Sequence, residues 1–139
     1  AGFATAFVAR AQADADISAL VDTQGTAVAP QLKADLLQVF DALAGVGAEF
    51  GFRTAKEIAR FMVIHKELSG LAWQYKAALD AQVVQKLMPK LHGSARKLDA
   101  VLKALDTFAT QHALVLTGEK VKRMQERLVR DGFTSFAEA

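Results

Sequence analysis

The side chains best suited to bind a phosphate lie in two short runs of the sequence. In the first, Arg53 follows Phe50-Gly51-Phe52 and precedes Thr54, at the start of a segment with helical periodicity. An arginine fixed at a helix start presents a planar fork of N–H donors that matches the oxygens of a phosphate. The alternative is that Arg53 only solvates a helix end, while Phe50 and Phe52 fill the core.

The second run is a cation-rich junction between two segments of helical periodicity. Lys90, His92, Arg96 and Lys97 follow one another closely after Pro89. Clustered cations of this kind indicate a contact with phosphate or with an acidic partner. They are equally typical of an interhelical turn whose charges are solvated, and the sequence leaves both interpretations open.

The sequence contains no complete catalytic or metal-binding motif. A P-loop needs a glycine-rich run before Lys and Ser or Thr, and Gly118-Glu119-Lys120 is too short to be one. The three histidines lie far apart and lack the spacing of a helical zinc site. Cysteine is absent, which excludes disulfides, thiolate metal sites and a cysteine nucleophile. We therefore assign neither a catalytic residue nor a metal ligand to this chain.

Composition and periodicity predict the elements that position these runs. Hydrophobic residues make up 52% of the 139 residues and the formal net charge is only +2, which excludes an intrinsically disordered chain. Ala and Leu, which favour helices, dominate, and no segment alternates in the manner of a strand. Apolar residues recur with period 3.6 in five or six segments. We predict an all-α bundle of five or six helices.

Local signals predict where some of these helices begin and end. Thr54 is followed three residues later by Glu57, a capping-box pattern that predicts Thr54 as the N-cap of its helix. Ser94 is predicted to cap a later helix. The last helix is predicted to begin at about Gly118 and to end at Gly132 in a left-handed conformation.

Charge is distributed unevenly along the chain. Residues 1–52 carry two basic and six acidic side chains, whereas residues 53–139 carry fifteen basic and nine acidic ones. A basic half can meet phosphate or an acidic partner, or it can simply present solvated helix faces. No apolar run approaches the roughly 20 residues that span a bilayer, so we expect no membrane contact. The chain starts without Met, and we expect it to be a piece of a longer protein.

Three runs resemble, in this order, motifs that follow the AAA+ core of McrB-type NTPases. Residues 50–61 resemble FGYRxxxEIxRF, residues 79–94 resemble LDxQxxQKxLPKxHGS, and residues 120–136 resemble KxxxMxxxLxxxGFTSF. These NTPases are the motor subunits of modification-dependent restriction systems. The order of the three motifs makes the resemblance fairly specific.

The resemblance divides the chain into two parts. It covers about residues 30–136, so we assign residues 30–139 to a helical lid subdomain. Residues 1–29 match nothing in the family and form a helical segment and loop of unclear affiliation. One departure concerns the junction, where the family often has two cations directly after the serine and Ala95 intervenes here before Arg96.

The resemblance also implies a function. The chain is expected to be the C-terminal lid of a nucleotide-driven motor whose P-loop core lies upstream, outside this chain. Arg53 matches the sensor-2 position, an arginine early in a lid helix that contacts the γ-phosphate. For the full-length protein the resemblance implies GTP or ATP with Mg²⁺, a homo-oligomeric ring, an McrC-type endonuclease as partner, indirect action on DNA, and a cytoplasmic location. No cofactor is expected in this chain itself.

Two other classes of function remain open at this point. A helical nucleic-acid-binding module requires its cations on one surface, here Lys86, Lys90, Arg96, Lys97 and Lys103. A protein-interaction bundle instead requires a contiguous exposed apolar patch.

Overall fold

A computed structural model describes residues 2–139 and shows six α-helices in this range. They are α1 (Gly2–Ala15), α2 (Val28–Ala44), α3 (Phe52–Ser69), α4 (Tyr75–Gln82), α5 (Ala95–His112) and α6 (Val115–Asp131). A 3-10 turn over Gly70–Ala72 follows α3, and a π-helical turn over Val83–Leu87 extends α4. Two strands, β1 (His92–Ser94) and β2 (Phe133–Ser135), complete the fold. The predicted all-α bundle of five or six helices is confirmed.

One hydrophobic core draws residues from all six helices. α1 packs against α2 and α3, and α5 packs along α6. The stripe predicted for α5 is fully buried, and its members are Leu98, Val101, Leu102, Leu105 and Phe108. The segment that the resemblance leaves unassigned contributes to the same core, because Val8 and Ile17 are completely buried. Each such side chain contributes about 1.5–3 kcal/mol through removal from water.

The two strands join motif runs that lie far apart in the sequence. β1 and β2 are antiparallel, with His92 opposite Ser135. The backbone N–H of Phe136 donates to the carbonyl of Leu91 at 2.9 Å and extends this pairing. Strands of three residues are too short to produce a period-2 pattern, so the sequence could not predict them. Their pairing fixes the start of α5 next to the end of α6.

Two of the predicted helix ends are confirmed. The hydroxyl oxygen of Ser94 accepts a hydrogen bond from the backbone N–H of Lys97 at 3.4 Å, as expected of an N-cap. Gly132 ends α6 with φ of 73°, the left-handed conformation that glycine adopts without steric cost.

The predicted capping box of α3 is wrong. The helix begins at Phe52 with Gly51 as its N-cap, so Thr54 lies inside the first turn. The carboxylate of Glu57 contacts the side chains of Arg53 and Lys86. In a capping box, the carboxylate of Glu57 would accept a hydrogen bond from the backbone N–H of Thr54. In the structure this carboxylate contacts two cations instead.

The start of α6 is also corrected, because the helix begins at Val115 rather than near Gly118. A carboxylate from another helix explains the difference. Asp80 on α4 accepts hydrogen bonds from the backbone N–H groups of Leu116 and Thr117, both at 2.8 Å. Asp80 therefore caps the first turn of α6, although it lies more than thirty positions earlier in the sequence. No local sequence pattern reveals such a cap.

Candidate functional site

Arg53 lies in the first turn of α3 and points into solvent. Its side chain is 93% exposed, and its Nε atom lies 3.5 Å from a carboxylate oxygen of Glu57, one helical turn further along. Exposed pairs at this spacing stabilise a helix only weakly. The guanidinium is therefore free to exchange Glu57 for a stronger anionic partner.

Glu57 is held from its other side by Lys86. The Nζ atom of Lys86, in the π-helical turn after α4, donates to the carboxylate of Glu57 at 2.9 Å. This hydrogen bond from Lys86 is the main cause that lowers the pKa of Glu57, with a smaller contribution from Arg53. Glu57 thus stays ionised near neutral pH. We call Arg53, Glu57 and Lys86 the α3 ion cluster; it links the first motif run to the second.

Aromatic packing fixes the backbone from which Arg53 projects. Phe50 is buried, and its ring meets those of Phe7 and Phe40 edge to face, with centroids 6.2 and 5.4 Å apart. Phe52 is only partly buried, and the guanidinium of Arg10 lies 5.6 Å from its ring centroid. Edge-to-face packing of this kind holds the start of α3 rigidly. Phe50 therefore fills the core as predicted, while Arg53, three residues later, is exposed.

Three of the four residues predicted at the junction line one pocket. Lys90, His92 and Lys97 surround a pocket of about 300 Å³ together with the segment Val46-Gly47-Ala48 after α2. Neither Arg96 nor Arg53 is among its lining residues. The lining also includes no carboxylate, so the pocket is suited to bind an anion by charge.

A glycine shapes this pocket from the side of β1. Gly93 has φ of 146°, and a Cβ atom built there lies only 2.8 Å from the Cδ atom of Lys97. A side chain at position 93 would therefore collide with the aliphatic part of Lys97, and glycine leaves room for Lys97 beside the pocket. The pocket offers cations but no paired general acid and base, so its arrangement supports binding rather than bond cleavage.

A further polar cluster was not predicted from the sequence. The hydroxyl of Tyr75 donates to one oxygen of buried Asp35 at 2.7 Å, and His112 Nε2 lies 3.5 Å from the other oxygen. Lys76 Nζ contacts the opposite nitrogen of His112, Nδ1. Burial, with the nearby charge of Asp35, raises the pKa of Tyr75 well above its usual range. We call these four residues the Asp35 network.

The remainder of the described chain offers neither a metal site nor a membrane span. Within residues 2–139, no group of three or more His, Asp or Glu side chains is placed to hold a metal ion. In the same range, every helix is too short or too polar to cross a lipid bilayer.

Comparison with known proteins identifies the family of this chain. Neither the curated proteins nor the solved structures include a significant match. A domain of unknown function, DUF8727, matches residues 8–133, which include α2 to α6 and most of α1. The match spans both the α3 ion cluster and the Asp35 network, and the chain therefore belongs to the DUF8727 family.

Proposed function

We propose that this chain is the C-terminal helical lid of a McrB-like AAA+ NTPase, a GTP- or ATP-driven motor of a restriction system. In this proposal residues 30–139 close over a nucleotide bound, with Mg²⁺, by an upstream core outside this chain. The full-length protein forms a homo-oligomeric ring in the cytoplasm and acts on DNA with an McrC-type endonuclease. The ordered resemblance of three motif runs and the all-α bundle support this assignment.

The observation that carries the proposal is the placement of Arg53. Its guanidinium is 93% exposed, yet the backbone beneath it belongs to a helix start packed by Phe50. An exposed cation on a rigid base can reach a ligand on another domain without a large loss of conformational entropy. This combination is what a nucleotide-sensing arginine requires.

In the α3 ion cluster, Arg53 can exchange the carboxylate of Glu57 for a phosphate. When a γ-phosphate approaches, Arg53 leaves the carboxylate oxygen 3.5 Å away, and Glu57 keeps its hydrogen bond to Lys86 at 2.9 Å. Glu57 therefore does not become an unpaired charge next to the phosphate. A preoriented cation then stabilises the negative charge that develops on the transferring phosphoryl group.

Hydrolysis by the full-length protein tests the role of Arg53. We expect Arg53→Ala to lower nucleotide turnover by roughly 10- to 1000-fold, the range for loss of one preorganised donor. Arg60→Ala is the matched control, since Arg60 is exposed on the same helix and is expected to leave turnover unchanged. Unchanged turnover in a well-folded Arg53→Ala protein would end the proposal.

The cation-lined pocket favours a second candidate, a helical nucleic-acid-binding module. Lys90, His92 and Lys97 converge there without a carboxylate, as a phosphate-binding surface requires. Titration of the 139-residue chain with duplex DNA at low and moderate salt separates the candidates. Tight binding that weakens steeply with salt, with a shallower salt slope for Lys97→Gln, supports the module. The absence of DNA binding at low salt excludes it.

A further inference from the structure

A pocket of about 880 Å³ opens on the side of the molecule where α2 and α4 begin. Its wall includes side chains from the loop after α1, from the first turns of α2, and from the start of α4. Its lining includes the hydrogen-bonding residues Thr23, Gln24, Gln31, Gln74, Tyr75 and Lys76. Pockets between about 300 and 1,000 Å³ accommodate small molecules. This pocket is separate from the one lined by the junction cations.

Lys76 is held at the wall of this pocket by the Asp35 network. Lys76 Nζ contacts Nδ1 of His112, and Nε2 of the same ring lies 3.5 Å from an oxygen of Asp35. Because a lysine nitrogen only donates, we assign Nδ1 as the acceptor and the ring N–H that faces Asp35 to Nε2. The other oxygen of Asp35 accepts from Tyr75 at 2.7 Å. A buried carboxylate thus orients two residues that line the pocket, one directly and one through a histidine.

The hydrogen-bond donors of Lys76 decide what the pocket can bind. The Nζ atom of a lysine only donates hydrogen bonds, so it is the donor in its contact with Nδ1 of His112. Lys76 therefore offers the pocket hydrogen-bond donors and no acceptor. An ammonium group has three N–H donors, and His112 takes only one of them.

Asp22, the acidic residue in the pocket wall, does not form an ion pair with Lys76. The carboxylate of Asp22 accepts from the backbone N–H groups of Gln24 and Thr26 at 2.8 and 2.9 Å, and so orders the loop itself. Among the described residues, the structure gives Lys76 no ion pair with a carboxylate within 4.0 Å. A cation that lacks an adjacent carboxylate, in a polar pocket, is suited to an anion from outside the chain.

We propose that this pocket binds a small molecule through a carboxylate or phosphate group that contacts Nζ of Lys76. The hydroxyl of Thr23 and the amides of Gln24, Gln31 and Gln74 contact the polar part of the ligand. Arg53 and the junction cations take no part, so the site is independent of the proposed lid function.

Anion titrations of the chain test this site. Sodium phosphate and sodium succinate are the two probes, each added at constant ionic strength, and the backbone amide NMR signals of Gln31 and Lys76 are followed. Fluorescence of Trp73, the single tryptophan, provides a second readout close to the pocket. We expect a saturable change with one of the probes, and the probe that binds shows whether the site prefers phosphate or carboxylate.

Variants then locate the binding. Lys76→Gln removes the charged contact and is expected to weaken the binding by about tenfold or more. Lys103→Gln is the matched control, because Lys103 is exposed on α5 and lies outside the pocket lining. If Lys76→Gln does not fold, Gln31→Trp fills the pocket from α2 and is expected to abolish the binding. No saturable change with either probe, or equal affinity in the folded pocket variant, overturns the site.

Discussion

The α3 ion cluster and the Asp35 network both connect helices through charged side chains, but they differ in their exposure to water. Arg53 has 93% of its side chain exposed, whereas the side chain of Asp35 is only 6% exposed. Water can replace any partner in the first cluster, so its members can exchange partners at little cost. Asp35 cannot lose a partner without becoming a buried, incompletely paired charge. The exposed cluster is thus suited to contact another molecule, and the buried one to hold residues in place.

The largest expected effect follows from removing the buried carboxylate. Asp35→Ala leaves Tyr75 and His112 without their acceptor, and each buried donor left unsatisfied costs about 1–3 kcal/mol. Urea unfolding followed by circular dichroism measures this loss. Asp41→Ala is the control, since Asp41 is exposed on the same helix and is expected to change the stability little. A loss for Asp35→Ala as small as that of the control would show that the contrast in burial has no energetic consequence.

Tyr75 gives the next effect, which depends on pH. Burial and Asp35 raise the pKa of its phenol, while the unfolded chain ionises near the usual value of 10.0. The folded state therefore keeps this contribution below about pH 10 and loses it as the pH rises further. Tyr75→Phe is expected to cost about 1–3 kcal/mol at neutral pH through the lost hydrogen bond to Asp35, and to reduce the alkaline destabilisation.

The measurement is simple because Tyr75 is the single tyrosine. Tyrosinate absorbance and circular dichroism are recorded together while the pH is raised. We expect the phenol to ionise only as the helical signal is lost. Ionisation near its ordinary pKa in a chain that is still folded would contradict the buried hydrogen bond.

The distance in sequence between interacting residues explains how much of the molecule the sequence could predict. The α5 stripe and the Ser94 cap depend on residues within a few positions of each other, and both predictions are confirmed. The place of Arg53 at a helix start likewise depends on nearby residues, and Arg53 lies in the first turn of α3. The only local sign of the Asp35 network was a polar residue beside Leu32 and Leu36 on the apolar face of α2. Tyr75 and His112, the partners of Asp35, lie 40 or more positions away from it in the sequence, so only the packing of the helices brings them together.

The smallest expected effect belongs to Glu57 in the exposed cluster. Glu57→Gln removes the carboxylate that contacts Arg53 and Lys86. Because these charges are exposed and screened by salt over a Debye length of about 10 Å at 0.1 M, we expect only a small decrease in melting temperature at low salt. The lowered pKa of Glu57 means that its contribution exists above the usual value of 4.5 and is lost as the pH falls. The difference between wild type and Glu57→Gln should therefore disappear both in high salt and in acid.

Melting curves at low and high sodium chloride, each at neutral and acidic pH, measure this difference. Glu126→Gln, an exposed glutamate on α6, controls for the general loss of one negative charge. A decrease for Glu57→Gln that persists in high salt would mean that the cluster supports the fold as the Asp35 network does. Arg53 would then be a structural residue, tied to α3 by a partner it cannot release. A decrease that vanishes in salt leaves Arg53 free to exchange Glu57 for a phosphate, which is the property on which its proposed role depends.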